Sequence, residues 1–216
     1  MTVRAGEPDD GESTLPTQDS VCVLDAVACV HFAGANLNRV LTTALAHAGW
    51  VILVPQEVCD EIRGKERKFP GLEKRWAALE RSPYVRVLPR LEMTRPSDLG
   101  VITVLEELRD AEFERALLQR KDLGECVVVA HGVGLRERGH DVTLLMDDHG
   151  GQTMAAERGL AYATIEDVLV LAVDAGCFAT GQDLMKAYAR LQEFGSGLPD
   201  YRRTALPGAY RARAEA

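Results

Sequence analysis

Five acidic residues, Asp25, Glu61, Glu125 and the adjacent Asp147 and Asp148, stand where strands should end or helices begin. Asp25 closes the apolar run Val21-Cys22-Val23-Leu24, and the aspartate pair closes Val142-Thr143-Leu144-Leu145-Met146. Glu125 opens a helical segment in Asp122-Leu123-Gly124-Glu125, and Glu61 lies two turns into the segment after the run ending at Val54. Carboxylates in such places add nothing to packing. Two of them about 5 Å apart repel by roughly 3 kcal/mol at an effective dielectric of about 20. Several in one crevice need protonation or a cation to offset that repulsion. Ligands that are all oxygen suit Mg²⁺ or Mn²⁺ rather than zinc. The chemistry of such a site is phosphodiester cleavage by a metal-activated water, with no histidine base required.

Each acid also has a plainer role open to it. Asp25 can cap the next helix, and Glu125 favours a helix N-terminus by charge alone. Asp60 and Glu57 are rivals for Glu61. Of Asp147 and Asp148, one can ligate a metal while the other caps the Gly150-Gly151 turn. His149 reads as a rim residue, and His31, His47, His131 and His140 lack metal-ligand spacing.

The elements that must position these acids alternate strand with helix, the pattern of a parallel sheet covered on both faces. Strands are expected at Val21–Leu24, Trp50–Val54, Val85–Leu88, Val142–Met146 and Leu160–Ala163. Ala26 to Ala48 reads as two helical pieces closed by Gly49. Helices follow from Pro55 to Arg63, Leu72 to Glu80, Leu123 to Arg138 and Gln152 to Arg158. Thr164 caps another that Gly176 stops, and a last one spans Gln182 to Phe194. Ser97 to Gln119 reads as one long helix, capped by Ser97 or Asp98. In an open sheet of this kind, ligands bind outside the carboxyl ends of the strands where strand order reverses. If strands one and four are neighbours, Asp25 and Asp147/Asp148 flank that point.

A chain of 216 residues suffices for one such domain with extensions. Residues 1–20 are acidic and rich in Gly, Pro and Thr, and read as a disordered lead-in. Residues 21–178 form the domain, with a helical insertion at 97–120, and 179–216 add a helix and an Arg-rich tail. No apolar run approaches the roughly 20 residues of a membrane span. Five scattered cysteines without Cys-x-x-Cys spacing are expected to be reduced thiols of a cytoplasmic protein. The net charge of −8 argues against non-specific coating of nucleic acid. Bases nevertheless concentrate between Ile62 and Arg90, and Arg63, Lys65, Arg67 and Lys68 are the candidate phosphate contacts, with a solvated helix face as the plainer alternative. Gly132-Val133-Gly134 lacks the third glycine of a dinucleotide loop. No Gly-x-Ser-x-Gly elbow is present. An aspartyl-phosphate mechanism would want an acid where Val27 stands.

The segments Val23-Leu24-Asp25-Ala26, Val54-Pro55-Gln56-Glu57-Val58-Cys59-Asp60-Glu61-Ile62, Asp122-Leu123-Gly124-Glu125 and Leu144-Leu145-Met146-Asp147-Asp148 resemble the four acidic motifs of the PIN domain, in order. Ala155-Ala156-Glu157-Arg158-Gly159-Leu160 and the run to Gly176 are similar to the closing segment of its VapC-toxin-like branch. The resemblance covers Val21 to Gly176. It implies a three-layer α/β/α sandwich with strand order 3-2-1-4-5 and a Mg²⁺- or Mn²⁺-dependent endoribonuclease acting on single-stranded or structured RNA. It implies that Asp25, Glu125, Asp147 and Asp148 hold metal while Glu61 completes the ring. An antitoxin partner and a homodimer are further implications. The chain departs from the pattern at Ala26-Val27, where a small polar residue is usual, and at Met146, where Thr or Ser is common. Those departures leave a second reading open, a weak or inactive PIN-like module that binds RNA or protein.

Overall fold

The computed structural model describes residues 19–195 and 197–215. The expected lead-in therefore lies outside the described residues, apart from Asp19 and Ser20. In chain order the first half comprises β1 (Ser20–Leu24), α1 (Ala26–Gly34), α2 (Asn38–His47), β2 (Val51–Pro55), α3 (Gln56–Gly64), α4 (Leu72–Glu80) and β3 (Val85–Leu88). The second half comprises α5 (Leu99–Arg109), α6 (Phe113–Leu118), α7 (Leu123–Glu137), β4 (Asp141–Leu145), α8 (His149–Glu157), β5 (Ala161–Ala163), α9 (Ile165–Asp174), α10 (Gly181–Gln192) and α11 (Leu206–Ala214).

The five strands form one all-parallel sheet in the order β3-β2-β1-β4-β5, as expected. Val21 to Leu24 in the central strand are fully buried. A strand covered on both faces needs an unbroken apolar run of this kind rather than an alternating one. Right-handed crossovers place the helices between β1 and β3 on one face and those leading to β4 and β5 on the other. Accordingly α1, α3 and α4 pack together, as do α5, α7 and α8, while α9 returns to lie along α2. The result is a three-layer α/β/α sandwich. Gly49 and Gly176 sit at φ 78° and 73°, ending α2 and α9 in the left-handed conformation that helix stops favour. Gly132 and Gly134 serve packing: a Cβ on Gly132 would lie 2.8 Å from Leu144 Cδ2, and one on Gly134 2.7 Å from Val101 Cγ2. They let α7 press against β4 on one side and α5 on the other.

Three expectations need correction. The single helix over Ser97–Gln119 is two, α5 and α6, divided where Asp110 adopts φ 47°. Glu106 accepts from the Phe113 amide, and the Arg109 guanidinium donates to the carbonyls of Gln119 and Lys121, both at 2.6 Å, so the chain doubles back. Neither Ser97 nor Asp98 caps α5 with its side chain; Asp98 instead accepts from the Glu92 amide and Arg95. Helix α8 begins at His149, not Gln152, because Asp148 caps it and carries the turn through both glycines. The Arg-rich tail contributes a helix of its own. Its α11 packs on α9, with Leu206 buried, Glu166 accepting from the Ala205 amide at 2.6 Å and Tyr210 donating to the Ala179 carbonyl.

Candidate metal centre

Strand order reverses between β1 and β4, the point of an open parallel sheet where ligands bind outside the carboxyl ends of the strands. The Asp25 amide donates to the Leu145 carbonyl at 3.0 Å, extending the pairing one residue beyond the strands. Asp25 and the Asp147–Asp148 pair are thereby fixed on neighbouring chain segments at one end of the sheet. Asp25 is buried, and its Oδ2 accepts from the Val27 amide at 3.1 Å. It is therefore the cap of α1 as well as a member of the acidic group.

Helices α3 and α7 bring in the glutamates, and they meet across Gly124. A Cβ on that glycine would lie 2.5 Å from Glu61 Oε2 and 3.7 Å from Asp25 Oδ1. Two carboxylate oxygens thus face a spot left free only because residue 124 has no side chain. Gly150 plays the same part for a second pair, its absent Cβ lying 3.0 Å from Asp148 Oδ1 and 3.7 Å from Glu125 Oε2. Glu125 stands in the first turn of α7, presented by Asp122 in a left-handed conformation at φ 56°. Four of the five predicted acids are thus gathered as Asp25 with Glu61 and Glu125 with Asp148.

Asp147 is placed differently. Its Oδ1 accepts from the Ile165 amide at 3.1 Å, at the start of α9, while Asp148 Oδ1 accepts from the Gly150 amide at 2.7 Å. Both aspartates therefore secure backbone amides, and it is Asp148 that faces Glu125. Beneath them Met146 is fully buried, its methyl group against Gly151. Apolar packing thus underlies the two aspartates.

The electrostatics follow from this crowding. Burial pushes the Asp25 carboxyl up to about 6, against the pull of the Val27 and Ala26 amides, and the nearby Glu61 charge adds to the rise. Glu125 is pushed up to about 7, first by burial and then by Asp148, Asp25, Asp122 and Glu61. Both carboxyls resist ionisation because no opposite charge of sufficient strength stands among them. Lys65 supplies a partial answer, its Nζ lying 2.7 Å from Glu61 Oε1. Sequence reasoning placed Lys65 among phosphate contacts; the Glu61-to-Lys65 spacing of one helical turn was the signal for an ion pair.

The donor set fits a hard divalent cation, since it offers oxygen alone around flanks cleared by glycine. Among the described residues no three Asp, Glu, His or Cys side chains converge on one point. Holding an ion would therefore draw in Glu61 and Asp148, both exposed enough to rotate. The basic residues divide. Arg63 pairs with Asp60 and Glu80, so its guanidinium is occupied within α3 and α4. Arg67 and Lys68 remain exposed, Lys68 with its Nζ 5.0 Å from the Phe69 ring centre. His31, which showed no metal spacing, is structural: its ring Nδ1 lies 2.7 Å from the Leu191 carbonyl and ties α10 to α1.

Comparison with known protein families finds no match, nor does comparison with curated protein sequences. No helix of the described residues is long and apolar enough to cross a membrane.

Proposed function

We propose that this protein is a PIN-like, Mg²⁺- or Mn²⁺-dependent endoribonuclease that cuts RNA across the crevice between β1 and β4. The observation that carries the reading is the pairing of Asp25 with Glu61 beside Gly124 and of Asp148 with Glu125 beside Gly150, from four separate segments, in a parallel sheet whose order 3-2-1-4-5 reverses between β1 and β4. Asp25, Glu125 and Asp148 would hold the ion, with Glu61 completing the ring and Asp147 bracing the loop from α9. A divalent ion there supplies an activated water and positive charge against the phosphodiester. The residues of the chain do the rest. Burial and the neighbouring carboxylates push the Glu125 carboxyl up to about 7 without metal, and a bound cation would relieve that crowding and keep it ionised as a ligand. Exposed Arg67 and Lys68 would supply phosphate contacts. Cytoplasmic residence, an antitoxin partner and a homodimer extend the proposal and rest on the family resemblance.

A second reading, a PIN-like module that binds RNA or protein without cutting, is favoured by Met146, whose buried side chain offers the acids no hydroxyl. Labelled RNA incubated with the protein in Mg²⁺ or Mn²⁺ separates the two. The nuclease reading expects cleavage that stops in excess chelator and in Asp25→Asn. Cleavage that continues in either case refutes it, and RNA binding without any cleavage favours the second.

A further inference from the structure

The first turn of α7 carries both the bare flank of Gly124 and the Glu125 carboxylate. What fixes the start of that turn lies outside it. The chain leaves α6 at Gln119 in an extended conformation and enters α7 through Asp122 at φ 56°. A helix end leaves its last carbonyls without intrahelical partners. Here Arg109, the last residue of α5, supplies partners from the side. Its Nη2 donates to the Gln119 carbonyl at 2.6 Å and to Gln119 Oε1 at 3.3 Å. Its Nη1 donates to the Lys121 carbonyl at 2.6 Å and to Cys126 Sγ at 3.7 Å. We infer that Arg109 is a positioning residue for Glu125: by gripping the chain on both sides of Asp122 it sets the start of α7, and with it the approach of Glu125 to Asp148. The inference rests on the nuclease reading above.

The plainer role for Arg109 is to close the turn between α5 and α6. That turn has its own fastenings: Glu106 accepts from the Phe113 amide at 2.8 Å, and Phe113 and Ala116 are buried. The partners of Arg109 lie beyond it, 10, 12 and 17 residues along the chain. A guanidinium presents its donors in one rigid plane, so it fixes the spacing of the groups it holds, which a flexible ammonium does not. The last of those groups extends the link to the other half of the pair. Cys126 follows Glu125 directly, and its Sγ lies 3.9 Å from Met154 Sδ on α8, the helix that Asp148 caps. Arg109, Cys126 and Met154 thus join α5, α7 and α8, and the last two of these helices carry Glu125 and follow Asp148.

RNA cleavage in Mn²⁺ and amide exchange in chelator, both on the full chain, test the assignment. Arg109→Met keeps the aliphatic stem and removes the fork. It should lower kcat about ten- to a hundredfold, the loss expected when a group of the centre is displaced by about 1 Å, with KM within about twofold of wild type. The Cys126 amide, which donates to the Asp122 carbonyl at 3.1 Å, should exchange about tenfold faster, while amides of α9 are unchanged. Arg109→Lys keeps the charge without the planar fork and should stay impaired in both readouts. Melting temperatures within about 5 °C of wild type would show that both variants fold. Unchanged kcat in Arg109→Met, or a full rate in Arg109→Lys, would overturn the positioning role and leave the nuclease reading standing. Faster exchange at residues 110–118 alone would also overturn it, marking Arg109 as a clip for the turn. Wild type that does not cleave RNA would refute the nuclease reading, and exchange at Cys126 would still decide whether Arg109 sets the start of α7.

Discussion

Replacing Asp25 by asparagine should make the metal-free protein more stable at neutral pH. The carboxyl titrates at about 6 in the fold against 3.8 for the free group. It therefore binds its proton more tightly folded than unfolded. The folded state bears no penalty below the unfolded value, loses stability as pH rises through the interval, and carries the full penalty above about 6. At about 1.36 kcal/mol per unit, the interval amounts to about 3 kcal/mol. Asparagine removes the charge, keeps the shape and still caps α1 through the Val27 amide. Urea unfolding in chelator should thus find Asp25→Asn more stable than wild type by about 2–3 kcal/mol near pH 8, with the gap closing as pH falls towards 4. Glu125 adds a loss of the same sign up to about 7, reduced by its partial exposure to solvent. Saturating Mg²⁺ should reverse the order, since an ion at about a thousand times its Kd stabilises the protein that binds it by about 4.1 kcal/mol. A variant less stable than wild type at every pH in chelator would refute the reasoning, by showing that the buried carboxylate is already compensated.

Gly124→Ala should spare the fold and damage the centre. Its Cβ would sit 2.5 Å from Glu61 Oε2, the free end of a flexible side chain, so calorimetry should record weaker Mn²⁺ binding while unfolding shifts by less than about 1 kcal/mol. Gly132→Ala should do the reverse. Its Cβ would meet the buried Leu144 and Leu160 at 2.8 and 3.0 Å, and overpacking of about 1–3 kcal/mol should outweigh the helix-propensity gain of about 1 kcal/mol. A Gly132→Ala protein as stable as wild type in urea would show that α7 has room to shift.

The fold was legible because burial on both faces writes itself into unbroken apolar runs. Val21 to Leu24 and Leu144 to Met146 admit no polar residue, and the alternation of such runs with helical segments dictates a parallel sheet. Breaks enforced by side chains reaching far along the chain were not legible. Nothing local in Arg109-Asp110-Ala111 announces that Arg109 will bind carbonyls 10 and 12 residues later and turn α5 back on itself. The docking of the Arg-rich tail was not legible for a related reason. It depends on Leu206, on Tyr210, on Arg213 donating to the Asp174 carbonyl and on a glutamate on α9 that lies 39 residues from its partner.

The candidate site shows the same division at finer scale. Acids at strand ends could be assigned from sequence because only topology is needed to bring Asp25 beside Asp147 and Asp148. The difference between Asp147 and Asp148 depends on which backbone amide each one meets, and both amides belong to helices that begin after the pair. Lys65 is the sharpest instance. Counted with its basic neighbours it belongs to a phosphate-binding strip, yet one turn of α3 sets it against Glu61 instead.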